Sequence, residues 1–340
     1  MKTLVFKRNM MQRYRSILHF IDPLIDAGYD LNVEVQSKSF DKKAIHEAPM
    51  DASKASKDSC KYLCKNFGIY PNNFDKINFT TKKNVIDGLF LTTDGKKYNK
   101  PHILLPYNGF VCSDKRGDHK VGNPMCNLFD KYRKIVKEEE GTLLIIHPGG
   151  GRGYVSPVRN HIPGYQVTAN NYAMLKNILK NIPNSIRKVY IKTHPVSYIG
   201  CDMKHMCNSV LPLLQQKFKG RFDSISIVKN DLMHHLVASE FILNIGSSTA
   251  IWLLGSDKKW INLLGMSQFE YKKHRECRER TENWFFWPQH VKIKGLSNLI
   301  NNYNEIVNNN DKTQKVREEY RLYHQMNAID NCMEIIKKWA

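Results

Sequence analysis

No run of residues in this 340-residue chain is apolar for long enough to cross a bilayer. The opening, Met1-Lys2-Thr3-Leu4-Val5-Phe6, gives way to Lys7 and Arg8 and not to a signal core. It reads as a first strand, and the chain is expected to stay in the cytoplasm. Cysteine is scattered: Cys60, Cys64, Cys112, Cys126, Cys201, Cys207, Cys277 and Cys332 form no CxxC pair. A chain of this size needs no disulfide framework, so free thiols are expected. Cys201, His205 and Cys207 lack an evident fourth ligand for zinc, and no Asp-x-Asp pair offers a divalent metal site. Acid is scarce as well. Against 52 Lys and Arg stand 32 Asp and Glu, a net charge of +20. The charge is spread along the chain, which favours polyanionic partners such as nucleotide phosphates, anionic lipid or nucleic acid, and equally describes a solvated basic surface. Zinc-finger spacing, an RNP-type aromatic motif and a basic heptad region are all missing, so specific nucleic-acid recognition is not expected.

What is present is enough apolar residue, 41%, for two ordinary α/β domains. Residues 4–6 read as a strand. Ile17, Leu18, Phe20, Ile21, Leu24 and Ile25 fall at helical spacing before Gly28, and residues 31–35 alternate as a second strand. This β-α-β start is that of a doubly wound sheet. A helix over 57–66 ends at Gly68, and strands are expected at 75–79, 85–91 and 102–105. Residues 107–124 read as a long loop, and 127–140 as a charged helix stopped by Gly141.

A cleaner series begins at Thr142. Strands at 143–146, 188–192, 224–228, 241–245 and 260–263 alternate with helices at 172–179, 210–218, 231–238 and 250–254, which implies a parallel sheet. The tail is helical, with Val316, Tyr320, Tyr323, Ala328, Cys332 and Ile336 on one face. The domains are read as 1–140, 141–300 and a helical segment 301–340 that packs back on the first.

Ligands of open parallel sheets sit beyond the carboxyl ends of the strands, and three motifs of the second half stand at such ends. Gly149-Gly150-Gly151-Arg152-Gly153 follows the strand 143–146. Its bare amides and the Arg152 charge suit a phosphate, although it matches neither the nucleotide-kinase loop nor the dinucleotide fingerprint. Lys192-Thr193-His194-Pro195 closes the strand 188–192, where an imidazole can donate to a phosphate or a leaving group. Gly246-Ser247-Ser248-Thr249 opens a helix and suits an anion as well as it suits plain capping.

These residues, with Asp231-Leu232-Met233 and the strand through Asn244, resemble the donor domain of GT-B glycosyltransferases. The His-Pro and Ser-Ser/Thr pair resembles bacterial sialyltransferases and capsule Kdo transferases, and more loosely the CDP-glycerol glycerophosphotransferases. The resemblance covers residues 142–265. It implies two Rossmann-like domains facing each other across a cleft, with His194, Ser247, Ser248 and Thr249 holding the phosphate of a cytidine nucleotide donor. It also implies an inverting, metal-independent transfer that needs no cofactor beyond the nucleotide sugar. UDP-sugar enzymes carry a glutamate in the helix after this loop. Here the helix reads Ala250-Ile251-Trp252-Leu253-Leu254, which favours the cytidine group.

The first half is expected to supply the acceptor site and a general base facing the cleft. Sialyl- and Kdo-transferases place an acidic pair before Gly. Tyr107-Asn108-Gly109-Phe110 resembles that motif without an acid, so Asn108 is read as an acceptor contact, together with Arg13 and with Arg15 nearby. Ile86-Asp87-Gly88 keeps one carboxylate, and Asp87 is preferred over Asp114 and Asp118, with His119 a further candidate. The expected acceptor is a glycan or lipid-linked hydroxyl, with peripheral contact to an anionic membrane. Rival readings are a phosphotransferase of the CDP-glycerol type, a basic nucleic-acid binder and a catalytically dead GT-B relative.

Overall fold

The computed structural model of the chain describes residues 3–6, 17–35, 57–81, 87–93, 99–106, 109–146, 164–193, 206–245, 247, 249–263, 290–291 and 293–339. They form two compact units, Met1–Lys131 with Leu322–Ala340, and Tyr132–Arg321.

The first unit holds a seven-stranded sheet in the order β3-β2-β1-β4-β5-β6-β7. Its strands are β1 (Thr3–Phe6), β2 (Asp30–Val35), β3 (Asn78–Thr81), β4 (Leu89–Thr92), β5 (His102–Leu104), β6 (Val111–Asp114) and β7 (Gly117–Lys120). The first five are mutually parallel, and β6 and β7 run as an antiparallel hairpin. Helix α1 (Ile21–Asp26) buries Ile21 and Leu24 and stops where Gly28 takes φ 81°. Helix α2 (Lys57–Phe67) ends at Gly68 with φ 80°.

The hairpin lies where a loop is expected from sequence. Asp114 Oδ1 accepts the amides of Arg116 and Gly117, and Gly117 takes φ 139°, so the chain reverses over two residues. Because β7 reads Gly-Asp-His-Lys with no buried residue, it carries no apolar alternation to betray it.

The charged helix expected to 140 is shorter. Helix α3 covers Pro124–Arg133, and β8 (Glu139–Ile146) starts ahead of Gly141. Gly141, at φ 68°, is no helix stop. It sits in a register shift between β8 and β11, with its amide on Glu240 Oε2 at 2.8 Å.

The second unit holds a six-stranded parallel sheet in the order β10-β9-β8-β11-β12-β13. With β8 these are β9 (Lys188–Lys192), β10 (Ser224–Val228), β11 (Ser239–Asn244), β12 (Lys259–Leu263) and β13 (His290–Val291), the last beyond the strand expected to close the sheet. Renumbered within the unit this order is 3-2-1-4-5-6, the Rossmann pattern, with its switch point between β8 and β11. The helices are α4 (Gly164–Lys180), α5 (Leu211–Lys217), α6 (Leu232–Ala238), the single turn α7 (Ala250–Leu253), α8 (Leu296–Asn301) and α9 (Tyr303–Asn308). Leu143, Ile145, Val189, Ile191, Leu243 and Ile261 join α4, α5 and α8 in one core on one face of this sheet. Both units are thus Rossmann-like α/β folds, as the resemblance implies.

The tail breaks into α10 (Asp311–Gln325) and α11 (Ala328–Trp339). Asn127 holds the break: its Nδ2 donates to the Met326 carbonyl at 2.7 Å, and its Oδ1 accepts the Ala328 amide at 2.9 Å. Among the described residues no helix is long and apolar enough to cross a membrane.

Candidate functional site

The carboxyl edge of the second sheet is built by one row of registered residues. From β10 to β13 it runs Val228, Lys192, Ile146, Asn244, Asn262 and His290. Strand alternation turns Lys192, Ile146, Asn244 and Asn262 of this row away from the core formed by Leu143, Ile145, Ile191 and Leu243. An apolar row would be expected in a sheet covered on both faces. Here Lys192 is 2% exposed, Asn244 0% and Asn262 8%.

The polar groups of this row are only partly satisfied. Asn244 Nδ2 donates to Asn262 Oδ1 at 2.9 Å, but Asn244 Oδ1 has no hydrogen-bond partner among the described residues. Nor has Lys192 Nζ. Burial drives the Lys192 ammonium down to about 7. Buried donors and acceptors left unmade are uncommon in native folds, and two in one row at a switch point mark this edge.

Immediately beyond Asn244 the Ile245 amide donates back to the Ile146 carbonyl at 3.1 Å, so β11 stays tied to β8 past its last rung. Ser247 and Thr249 follow. Their hydroxyls lie 3.0 Å apart, and Ser247 Oγ accepts the Thr249 amide at 3.3 Å. Part of their capacity therefore goes to local capping, and one hydroxyl proton of the pair is left over. In α7, Ala250, Ile251, Trp252 and Leu253 are all buried, so no side chain of this turn stands ready to grip a ribose.

Several expected site residues, namely Arg13, Asn108, Gly150, Gly151, Arg152, Gly153, His194 and Ser248, lie outside the described residues, as do Cys201 and His205. In the chain, 147–153 continues directly from β8, and His194 stands two residues after Lys192. Of the expected phosphate-binding set, Ser247 and Thr249 are described, and both stand beyond the β11 end. No cluster of His, Cys, Asp or Glu fit to hold a metal occurs among the described residues.

Of the three candidate carboxylates of the first unit, Asp114 and Asp118 share the β6–β7 hairpin and Asp87 stands apart. Asp87 precedes β4, and its neighbour Gly88 lies against Thr3, where β1 begins. That is the amino edge of the sheet, opposite the edge over which ligands of such sheets bind. The Asp87 side chain is exposed and paired with Lys100, whose hydrogen bond and charge hold the carboxyl below its usual range and make it a weaker base.

Asp114 is committed to hydrogen bonds within the first unit. Its side chain is 1% exposed and accepts from Trp339 Nε1 at 2.8 Å and His119 Nε2 at 3.1 Å, besides the two turn amides. Burial alone would raise its carboxyl, but these donors outweigh that and lower it. Every acceptor position is taken, which makes Asp114 the knot that ties the end of α11 to the hairpin. Asp118 Oδ1 accepts Ser113 Oγ at 2.6 Å across that hairpin.

Two clefts lie within single units. One of about 230 Å³ is lined by Asp114, Arg116, His119 and Lys338, and one of about 700 Å³ lies at the amino edge of the second sheet beside Glu140, Arg187 and Lys259. Lys192 is the residue of the site that sequence reading passed over. In Lys-Val-Tyr-Ile-Lys it reads as the solvated end of a strand, and only the register of six strands shows it buried.

Neither a family model nor a curated protein sequence matches this chain. Among solved structures, the wall teichoic acid polymerase TagF aligns over 99% of this chain and 88% of its own, at 12% identity and a TM-score of 0.46. The E. coli heptosyltransferase WaaC with ADP-2-deoxy-2-fluoro heptose aligns over 78% of this chain and 89% of its own, at 13% identity and a TM-score of 0.31. The assignment of the fold rests on the two strand orders.

Proposed function

We propose that this chain is a nucleotide-sugar-dependent glycosyltransferase whose second unit holds the donor by its phosphates, a cytidine nucleotide being favoured. The observation that carries this reading is the polar row Lys192, Asn244 and Asn262, buried at the switch point of a 3-2-1-4-5-6 sheet. From its strand ends the chain continues into the glycine-rich stretch, His194 and the Ser247 and Thr249 hydroxyls.

Chemically the proposed step breaks the bond between the anomeric carbon and the donor phosphate and forms one to an acceptor oxygen. The acceptor hydroxyl loses its proton to a base, and the departing phosphate takes the electron pair. Hydrogen-bond donors that stand ready around that phosphate lower the barrier without a metal. His194, Arg152 and the hydroxyls are assigned this part, and inversion follows from direct displacement. The acceptor, a glycan or lipid-linked hydroxyl, is assigned to the first unit with Arg13 and Asn108. The net charge of +20 suits peripheral contact with an anionic membrane. The buried α7, which has no acid to hold a ribose, supports the cytidine preference over a UDP sugar.

The test is a thermal-shift panel of CMP, CDP, UDP, GDP and dTDP on the full chain. A cytidine nucleotide should stabilise the protein most, and His194→Ala should abolish that shift. No response to any nucleotide would refute the reading. The same resemblance admits a CDP-glycerol-type phosphotransferase, and phosphate retained in the product would establish that reaction instead.

A further inference from the structure

Among the described residues, Lys192 is a buried cation of the carboxyl edge that no group of the sheet pairs with. Its Nζ is buried and without a hydrogen-bond partner among the described residues. It occupies the last row of β9, two strands from Asn244. At about 4.8 Å per strand this puts their Cα atoms roughly 10 Å apart, with Ile146 of β8 between them in the row, so a ligand that meets both lies over Ile146.

A surface lysine needs no partner, and a core lysine is normally hydrogen-bonded or paired with an acid. Lys192 is neither. His235 of α6 is the described titratable group that bears on it electrostatically. His235 lies against Tyr190 of the same strand face, its ring tilted by 54° and the ring centroids 5.0 Å apart. Burial keeps His235 below its usual range, with His234 pushing the same way and Asp231 and Glu139 opposing. Not one of these groups supplies Lys192 with a hydrogen bond.

Resting on the donor-site reading, we propose that Lys192 is the cation that pairs with the phosphate of the bound nucleotide, and that binding carries a proton onto its amine. In the free chain burial holds the group down to about 7, so above neutrality it is largely the neutral amine. An arriving phosphate dianion or diester favours the ammonium, and the proton comes from solvent. The fold thus keeps the group as an uncharged amine until an anion is there to meet the charge. Donor affinity then falls as pH rises through and above neutrality. Asn244 Oδ1, the unused acceptor in the same row, is placed to receive a hydroxyl or amino group of the same ligand.

The experiment is calorimetric titration of the full chain with CDP, and with cytidine as the phosphate-free probe, at about pH 8 in two buffers of different ionisation enthalpy. Wild type should take up close to one proton more per CDP than Lys192→Met, a difference that removes the nucleotide's own protonation. Lys192→Met should bind CDP roughly tenfold or more weakly, as loss of a charged hydrogen bond implies, and cytidine unchanged. Lys192→Arg, which cannot deprotonate, should bind CDP without the extra proton and without the fall in affinity at high pH.

Equal CDP affinity and equal proton uptake in wild type and Lys192→Met would overturn the role of Lys192 and leave nucleotide binding standing. Absence of CDP binding by wild type would overturn both readings.

Discussion

His19 and Lys192 show what burial does to a base, and each leaves a signature in stability against pH. Burial lowers His19 to about 3, and its Nε2 lies 3.0 Å from Met125 Sδ. The unfolded chain therefore binds a proton that the folded chain refuses. Stability from this residue is complete above the ordinary histidine range and is lost as pH falls through it towards 3. His19→Gln should flatten that acid limb in urea titrations. Lys192 acts on the alkaline side with the same sign. Lowered from 10.5 to about 7, it weakens the fold fully below 7, and the penalty fades as pH rises towards the ordinary lysine range. Without nucleotide, Lys192→Met should accordingly be more stable than wild type at pH 7, with a Tm that no longer climbs between pH 7 and 10. A lower Tm for this variant would mean that the amine has a structural partner. Asp114 is the reverse case, a carboxylate saturated with donors. Asp114→Asn should cost about 1–3 kcal/mol in denaturant unfolding without altering nucleotide binding.

Among the secondary elements, Gly255 governs how two neighbours approach, for a reason that a sequence pattern does not carry. A Cβ on Gly255 would lie 2.5 Å from the carbonyl carbon and oxygen of Tyr320 in α10. Helix α10 is pressed backbone-first onto the turn after α7, so Gly255→Ala should destabilise by about 2 kcal/mol or more. Gly109, with no described residue within 4 Å of its missing Cβ, should accept alanine within about 0.5 kcal/mol. Parallel unfolding curves of the two variants check the contrast. Legibility also divides at this scale. Strands β8, β11 and β12 were evident from their largely apolar, buried runs, and β9 and β10 from alternation of apolar and polar residues. The β6–β7 hairpin was not, since it is short, polar and held by Asp114 and Trp339 from distant parts of the chain. Gly141 passed for a helix stop because a bulge and a helix cap make the same demand for positive φ.

On the scale of the whole molecule, the first unit is completed only when residues 322–340 return to it. Tyr323 stacks on Phe110 at 4.2 Å, and the buried Cys332 thiol is pushed up by its hydrogen bond with Cys112 and by burial. Removing residues 322–340 should lower the unfolding transition of the first unit and spare that of the second. In scanning calorimetry of the full chain, the nucleotide should raise only the transition that belongs to Tyr132–Arg321.

Sequence alone determined the class of fold and pointed to the strand ends at which the site is proposed. Apolar strands alternating with helices admit little but a doubly wound sheet, and ligands of such sheets gather at the strand ends where His194 and the Ser247 and Thr249 motif stand. Only the tertiary structure decided which charges are spent and which are held in reserve. Register across six strands buried Lys192 and Asn244 in one row, and the return of α11 consumed Asp114. The physical reason is that desolvation and hydrogen bonding depend on what lies across the sheet and across the chain, and nearest neighbours in sequence say nothing of either.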